Sequence, residues 1–160
     1  MNINRHDPIA IQALFERVEK ELEKAKDRST NPKVAVYSRV SQKPQSGFSY
    51  SLEIQEEQAE EYAREHYGDD ILIYQDPFIS GKNSKRKNFQ RLRRDINASK
   101  IDVLIVSRGD RLYRNVESSL RFMRFLQKHD IHYISVSEQI DTNTYWGRFF
   151  MIMQAAHAEA

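Results

Sequence analysis

Val34-Ala-Val-Tyr-Ser-Arg-Val40, followed by Ser41, is the stretch from which the fold is read. It comes directly after the break at Asn31-Pro32, and its β-branched and aromatic side chains suit a pleated surface. Outward from it, strands and helices alternate. Leu52 to Tyr67 has helical character and stops at Gly68. Ile71 to Tyr74 reads as a second strand. Phe89, Leu92 and Ile96 stand at helical spacing. Val103 to Val106 is a wholly apolar third strand. Val116 to Lys128 is a helix with Asn115 as its cap. Ile131 to Val136 is a fourth strand, and the chain is helical from Trp146 onward. This alternation predicts an α/β fold with a mostly parallel central sheet of about four to five strands flanked by helices.

Upstream of the first strand, residues 7 to 27 predict one more helix. Asp7 can cap it and Pro8 suits its first position. Ile11, Leu14, Phe15, Val18, Leu22 and Ala25 form its apolar stripe. The sequence therefore divides into an N-terminal extension (1–32), a central domain (33–145) and the start of a last helix (146–160). That helix reaches Ala160 without a Gly or Asn cap, so the sequence reads as a piece of something longer.

The 160 residues suit one domain. There is no cysteine, which excludes disulfide scaffolds, zinc ribbons and thiol nucleophiles. The longest apolar run, Phe149 to Met153, is too short to span a membrane. The N-terminus lacks the pattern of a secretory signal. These features predict a soluble, cytoplasmic protein without a membrane partner. Formal charge is only +2, but its distribution is uneven. Glu53 to Glu65 holds six acids and one base, and Lys82 to Arg94 holds seven bases and no acid. The basic stretch is either one anion-contacting surface or a solvated helix face.

In parallel sheets, ligands gather beyond the carboxyl ends of the strands. Here those ends are polar. The first carries Tyr37, Ser38, Arg39 and Ser41. The second carries Asp76, then Ser80-Gly81 and the basic stretch. The third carries Arg108, Asp110, Arg111 and Arg114. Convergence of these loops would join a serine, two aspartates and several arginines. Arginine stays charged and grips phosphate oxygens bidentately. Fixed cations can activate a serine without a histidine, because they stabilise its alkoxide and a phosphorane-like transition state. The expectation is a phosphoryl-transfer centre with a serine nucleophile. Each residue also has an ordinary reading. Ser41 could cap a helix, Asp76 before proline could open a turn, and Asp110 could simply pair with an arginine. His129 and His132 read as structural, and no metal site is expected.

In order along the chain, these pieces resemble the catalytic domain of the serine recombinases, the resolvase/invertase family. Tyr37-Ser-Arg39-Val-Ser41 resembles its Tyr-x-Arg-x-Ser strand end. Ser51-Leu52-Glu53-Ile54-Gln55 resembles its Ser-Leu-x-x-Gln helix start. Asp76 to Gly81 with Arg86 resembles Asp-x-x-x-Ser-Gly…Arg. Asp110 to Arg114 resembles Asp-Arg-Leu-x-Arg. Asp141 to Arg148 resembles the acidic Ser/Thr-rich turn before the long helix, and Glu159 falls at that helix's Ala-Glu pair. The spacing between Ser41 and Leu52 is more like that of the large serine integrases and transposon recombinases. Gly109 departs from the family pattern, which has an apolar residue there; the expected consequence is a looser loop.

The resemblance implies a site-specific DNA recombinase used in integration, excision or inversion. Ser41 would attack a DNA phosphate and form a phosphoseryl bond. Arg39, Arg86, Arg111 and Arg114 would hold the phosphate. Asp110 would handle a proton, and Gln55 would orient the site. Tyr37, Asp76, Ser80 and Glu159 would support it. Lys82, Lys85, Lys87, Arg91 and Arg94 would contact DNA. The family uses no cofactor and acts on DNA, not a small molecule, as a homodimer that becomes a tetramer in synapsis. Two alternatives stand beside this reading: a metal-dependent nuclease or phosphatase of α/β fold, and a non-catalytic DNA-binding or oligomerisation module.

Overall fold

A computed structural model of the chain describes residues 7–28, 30–40, 47–77, 85–113 and 115–158. In chain order the elements are α1 (Pro8–Lys26), β1 (Val34–Val40), α2 (Gly47–Tyr67), β2 (Ile71–Pro77), α3 (Lys87–Asn97), β3 (Val103–Val106), α4 (Val116–Lys128), β4 (His132–Ser135), β5 (Ile140–Asp141) and α5 (Tyr145–Ala158). A single 3₁₀ turn covers Gly109–Arg111. None of the described helices is long and apolar enough to cross a membrane.

The strands form one sheet in the order β2-β1-β3-β4-β5. The first four are parallel and β5 is antiparallel to β4. The chain moves from β1 out to β2, then crosses back over β1 to β3. The carboxyl ends of β1 and β3 are therefore where the winding reverses, the position at which open α/β sheets hold ligands.

Period-2 alternation sorts β1 and β3 between two cores. Ala35 and Tyr37, with Leu104 and Val106, face the layer containing Leu92, Ile96, Phe122, Met123 and Leu126 from α3 and α4. Val34 and Val36, with Val103 and Ile105, face Ala59 and Ala63 of α2. The two alanines let α2 lie close against the sheet. A third cluster joins α1 to α5 through Leu14, Val18 and Ile152. Phe15 stacks there on Tyr145 and Phe149, at centroid distances of 6.2 and 6.1 Å. The upstream helix thus packs on the last one. Asp7 accepts from the Ile9 N–H at 3.0 Å, capping α1 as its position predicts.

The main departures from the sequence reading lie in α2, β2 and β5. α2 begins at Gly47, not Leu52; Gly, Ser and aromatic residues are poor helix formers and hide this first turn. β2 continues through Gln75-Asp76-Pro77, pairing with Ser38 to Val40. A proline is tolerated there because β2 is an edge strand. β5 is only two residues long, too short for any periodicity, and follows a turn in which Gln139 has φ +54°. His129 lies against the Phe125 ring, and His132 Nε2 is 2.6 Å from Asp141 Oδ1.

Candidate active site

β1 delivers Tyr37 and Arg39 to the reversal point, and the turn after β3 delivers Asp110 and Arg111. Tyr37 is fully buried and Arg39 nearly so. The Tyr37 hydroxyl donates to Asp76 Oδ2 at 2.8 Å. The same carboxylate accepts the N–H groups of Asn88 (3.0 Å) and Phe89 (2.8 Å). Asp76 thereby caps α3 from a neighbouring strand, satisfying donors that a helix N-terminus leaves open. Arg86 just before α3 has φ +44° and no side-chain cap of its own. Asp76 is thus a bracket that fixes β2, β1 and α3 together.

Arg86 stands beside this bracket. Its guanidinium turns inward: it donates to the carbonyls of Arg111 and Leu112, both at 2.8 Å, and to the Tyr37 hydroxyl at 3.2 Å. It also lies 3.9 Å over the Phe89 ring. Five N–H donors in one plane allow a single arginine to tie several acceptors at once. In this structure Arg86 braces the Arg111 turn instead of presenting its nitrogens outward. Burial pushes the Tyr37 hydroxyl up to about 12, against the opposing charge of Arg86. Tyr37 is accordingly a neutral hydrogen-bonding post at ordinary pH.

The two arginines meet at a residue that sequence reasoning missed. Glu56 of α2 is 5% exposed. Its Oε1 accepts from Arg111 Nε and, at 3.0 Å, from the Ser107 hydroxyl; its Oε2 accepts the backbone N–H of Arg39 at 3.2 Å. Burial pushes the Glu56 carboxyl above the usual carboxylate range, while Arg111, Ser107 and the Arg39 N–H pull the other way. Its place among the six acids of Glu53 to Glu65 conceals it. The available signal is spacing: Glu56, Ala59 and Ala63 share one helical stripe, and that stripe faces the sheet.

Arg39 also donates from a terminal nitrogen to the Pro77 carbonyl at 3.0 Å. Asp110 is half-exposed, 3.3 Å from Arg111 Nη1 and 3.7 Å from Arg108 Nε. Of the expected set, the structure brings together Tyr37, Arg39, Asp76, Arg86, Asp110 and Arg111. Ser41, Ser80, Lys82, Arg114 and Glu159 lie outside the described residues, as does the side chain of Gln55 in α2. Lys85, Lys87, Arg91 and Arg94 are exposed on or beside α3, and Arg91 lies 4.7 Å over the Tyr74 ring. A cavity of about 530 Å³ lies instead at the amino ends of β3 and β4, lined by Arg28, Asp102 and His132 among others. None of the expected catalytic residues lines it.

Gly109 has a steric role in place of the expected looseness. A Cβ there would stand 2.0 Å from the Tyr113 hydroxyl, and the Gly109 N–H donates to Glu138 Oε1 at 2.6 Å. The missing side chain makes room for Tyr113. We expect Gly109→Ala to shift the Asp110-Arg111 turn and to lower the unfolding midpoint, and Tyr113→Ala to restore it in the double variant. Urea titration of the four proteins checks this; additive losses would contradict it.

Residues 34–160 match the family described as "Resolvase, N terminal domain". The DNA-invertase hin of Salmonella typhimurium is 36% identical over 81 residues, 51% of this chain and 42% of that protein. A DNA-invertase of Escherichia phage P1 is 34% identical over 88 residues, 55% of this chain and 46% of that protein. The chain spans less than half the length of these curated relatives. Among solved structures, the N-terminal catalytic domain of TP901-1 integrase aligns with TM-score 0.62 at 33% identity, over 79% of this chain and 94% of that one. A resolvase family site-specific recombinase from Streptococcus pneumoniae aligns with TM-score 0.57 at 26% identity, over 79% and 87%.

Proposed function

This chain belongs to the resolvase family, and from that premise we propose that it cleaves and rejoins DNA through a phosphoseryl intermediate formed on Ser41. The observation that carries the reading is the pair Arg39 and Arg111, locked onto one buried carboxylate where the sheet winding reverses. Ser41 follows Arg39 by two residues in sequence. Its hydroxyl oxygen bonds to the scissile phosphorus, and the deoxyribose oxygen leaves and takes a proton. The phosphate is conserved as an ester, so rejoining is the same exchange in reverse and asks for no high-energy cofactor.

Arg39, Arg111 and Arg114 neutralise the charge that builds on the non-bridging oxygens. The half-exposed carboxylate of Asp110 is the group to relay the proton. Arg86, Tyr37 and Asp76 support this set from beneath, with Ser80, Gln55 and Glu159 assigned supporting roles by their motifs. The exposed Lys85, Lys87, Arg91 and Arg94, with Lys82, supply phosphate contacts that read no sequence. We assign residues 33–145 to the catalytic domain, 146–160 to a helix that joins copies into the dimer and synaptic tetramer, and 1–32 to an extension of it.

Trapping tests this reading. The protein is incubated with a pool of genomic duplex fragments in excess chelator, denatured, and scored for DNA that migrates with protein. Covalent complexes are expected. Cleavage that requires a divalent metal and leaves no adduct would favour a metal-dependent nuclease, and binding without cleavage a non-catalytic module.

A further inference from the structure

We infer that Glu56 is a positioning residue for the phosphate-binding arginines, holding Arg111 by Nε and the Arg39 backbone by its N–H at one fixed carboxylate. This rests on the function proposed above. Three donors from three segments converge on Glu56: Arg39 from the end of β1, Ser107 from the end of β3, and Arg111 from the 3₁₀ turn. The carboxylate stands on the stripe of α2 that otherwise places Ala59 and Ala63 against the sheet.

Stability alone is a poor reason for such a residue. A buried ion pair is often no better than well-packed apolar side chains of the same volume, and the neighbouring stripe positions are apolar. What an apolar residue could not do is fix the guanidinium. Arg111 is 6% exposed, and its long side chain reaches the site through several rotatable bonds. Anchoring Nε fixes the plane of the guanidinium, and with it the direction of the terminal nitrogens. Asp110 accepts from one of these, Nη1, at 3.3 Å. Catalysis by preorganised donors depends on such aim being set before charge develops. Glu56 also carries a cost, because its negative charge opposes the binding of an anion nearby. Orientation and attraction are therefore separable in this residue.

That separation supplies the test. Glu56→Gln keeps the shape and one acceptor but removes the charge. The rate of covalent adduct formation should fall ~10²-fold, the scale of a misaligned catalytic group, while duplex affinity equals or exceeds that of the parent. A purely structural residue would lower both together. In ¹H–¹⁵N spectra of the chain, the Arg111 Nε–H signal, identified by its loss in Arg111→Lys, should shift and exchange faster in Glu56→Gln. If Glu56→Gln fails to fold, Ser107→Ala removes one donor and should move the same signal. An unchanged Nε–H signal or an unchanged adduct rate in a folded variant would overturn the inference. If the parent itself forms no adduct, the proposed function fails, and the Nε–H signal still decides whether Glu56 holds Arg111.

Discussion

Replacing Arg39 or Arg111 by lysine is expected to lower adduct formation ~10²–10³-fold each, the usual loss for one preorganised donor to a developing oxyanion. Lysine retains the charge, so electrostatic attraction to DNA survives. Geometry does not. Arg111 reaches Glu56 with Nε and Asp110 with Nη1 together, and a single ammonium cannot span both acceptors in one plane. Arg39 donates from a terminal nitrogen to the Pro77 carbonyl and lies in a nearly closed position, where a shorter head group leaves that carbonyl without its donor. The check is a single-turnover adduct time course beside a binding titration. Rates near the parent's in both folded lysine variants would assign the arginines to charge alone.

Much of this arrangement was legible in the sequence, for reasons that differ between elements. The wholly apolar Val103–Val106 and the β-branched Val34–Val40 announce buried parallel strands, because a strand covered on both faces needs no polar alternation. Asn115 marks the start of α4 and accepts the Ser118 N–H at 2.8 Å. Strand ends carrying arginine, serine and aspartate point to the site because parallel sheets bring such ends to one edge. Glu56 was not legible: within an acidic run, only its register against Ala59 and Ala63 separates it from its solvated neighbours. The inward turn of Arg86 was hidden for a related reason. A basic stretch says nothing of which member finds backbone carbonyls to hold, and here Leu112 and Arg111 supply them. Gly109 looked like a loosened loop because the sequence does not show that Tyr113 fills the space.

The largest expected effect belongs to Ser41→Ala, which should abolish the covalent complex while duplex binding persists. The substitution removes the attacking oxygen and leaves every contact described for Arg39, Glu56 and Arg111 intact. Ser38 is buried within β1, on the face opposite Tyr37 and Arg39 by strand alternation, and does not occupy the motif's nucleophile position. Ser38→Ala should accordingly retain adduct formation.

On the proposed mechanism the bond to DNA is made by Ser41. Digesting the denatured, chelator-treated protein–DNA complex with nuclease and protease, then identifying the modified peptide by mass spectrometry, locates that bond. The expected result is a nucleotide attached through phosphate to Ser41, found in the parent and in Ser38→Ala and missing in Ser41→Ala. A phosphate linkage on any other residue, or cleaved DNA with no linked peptide, would contradict it.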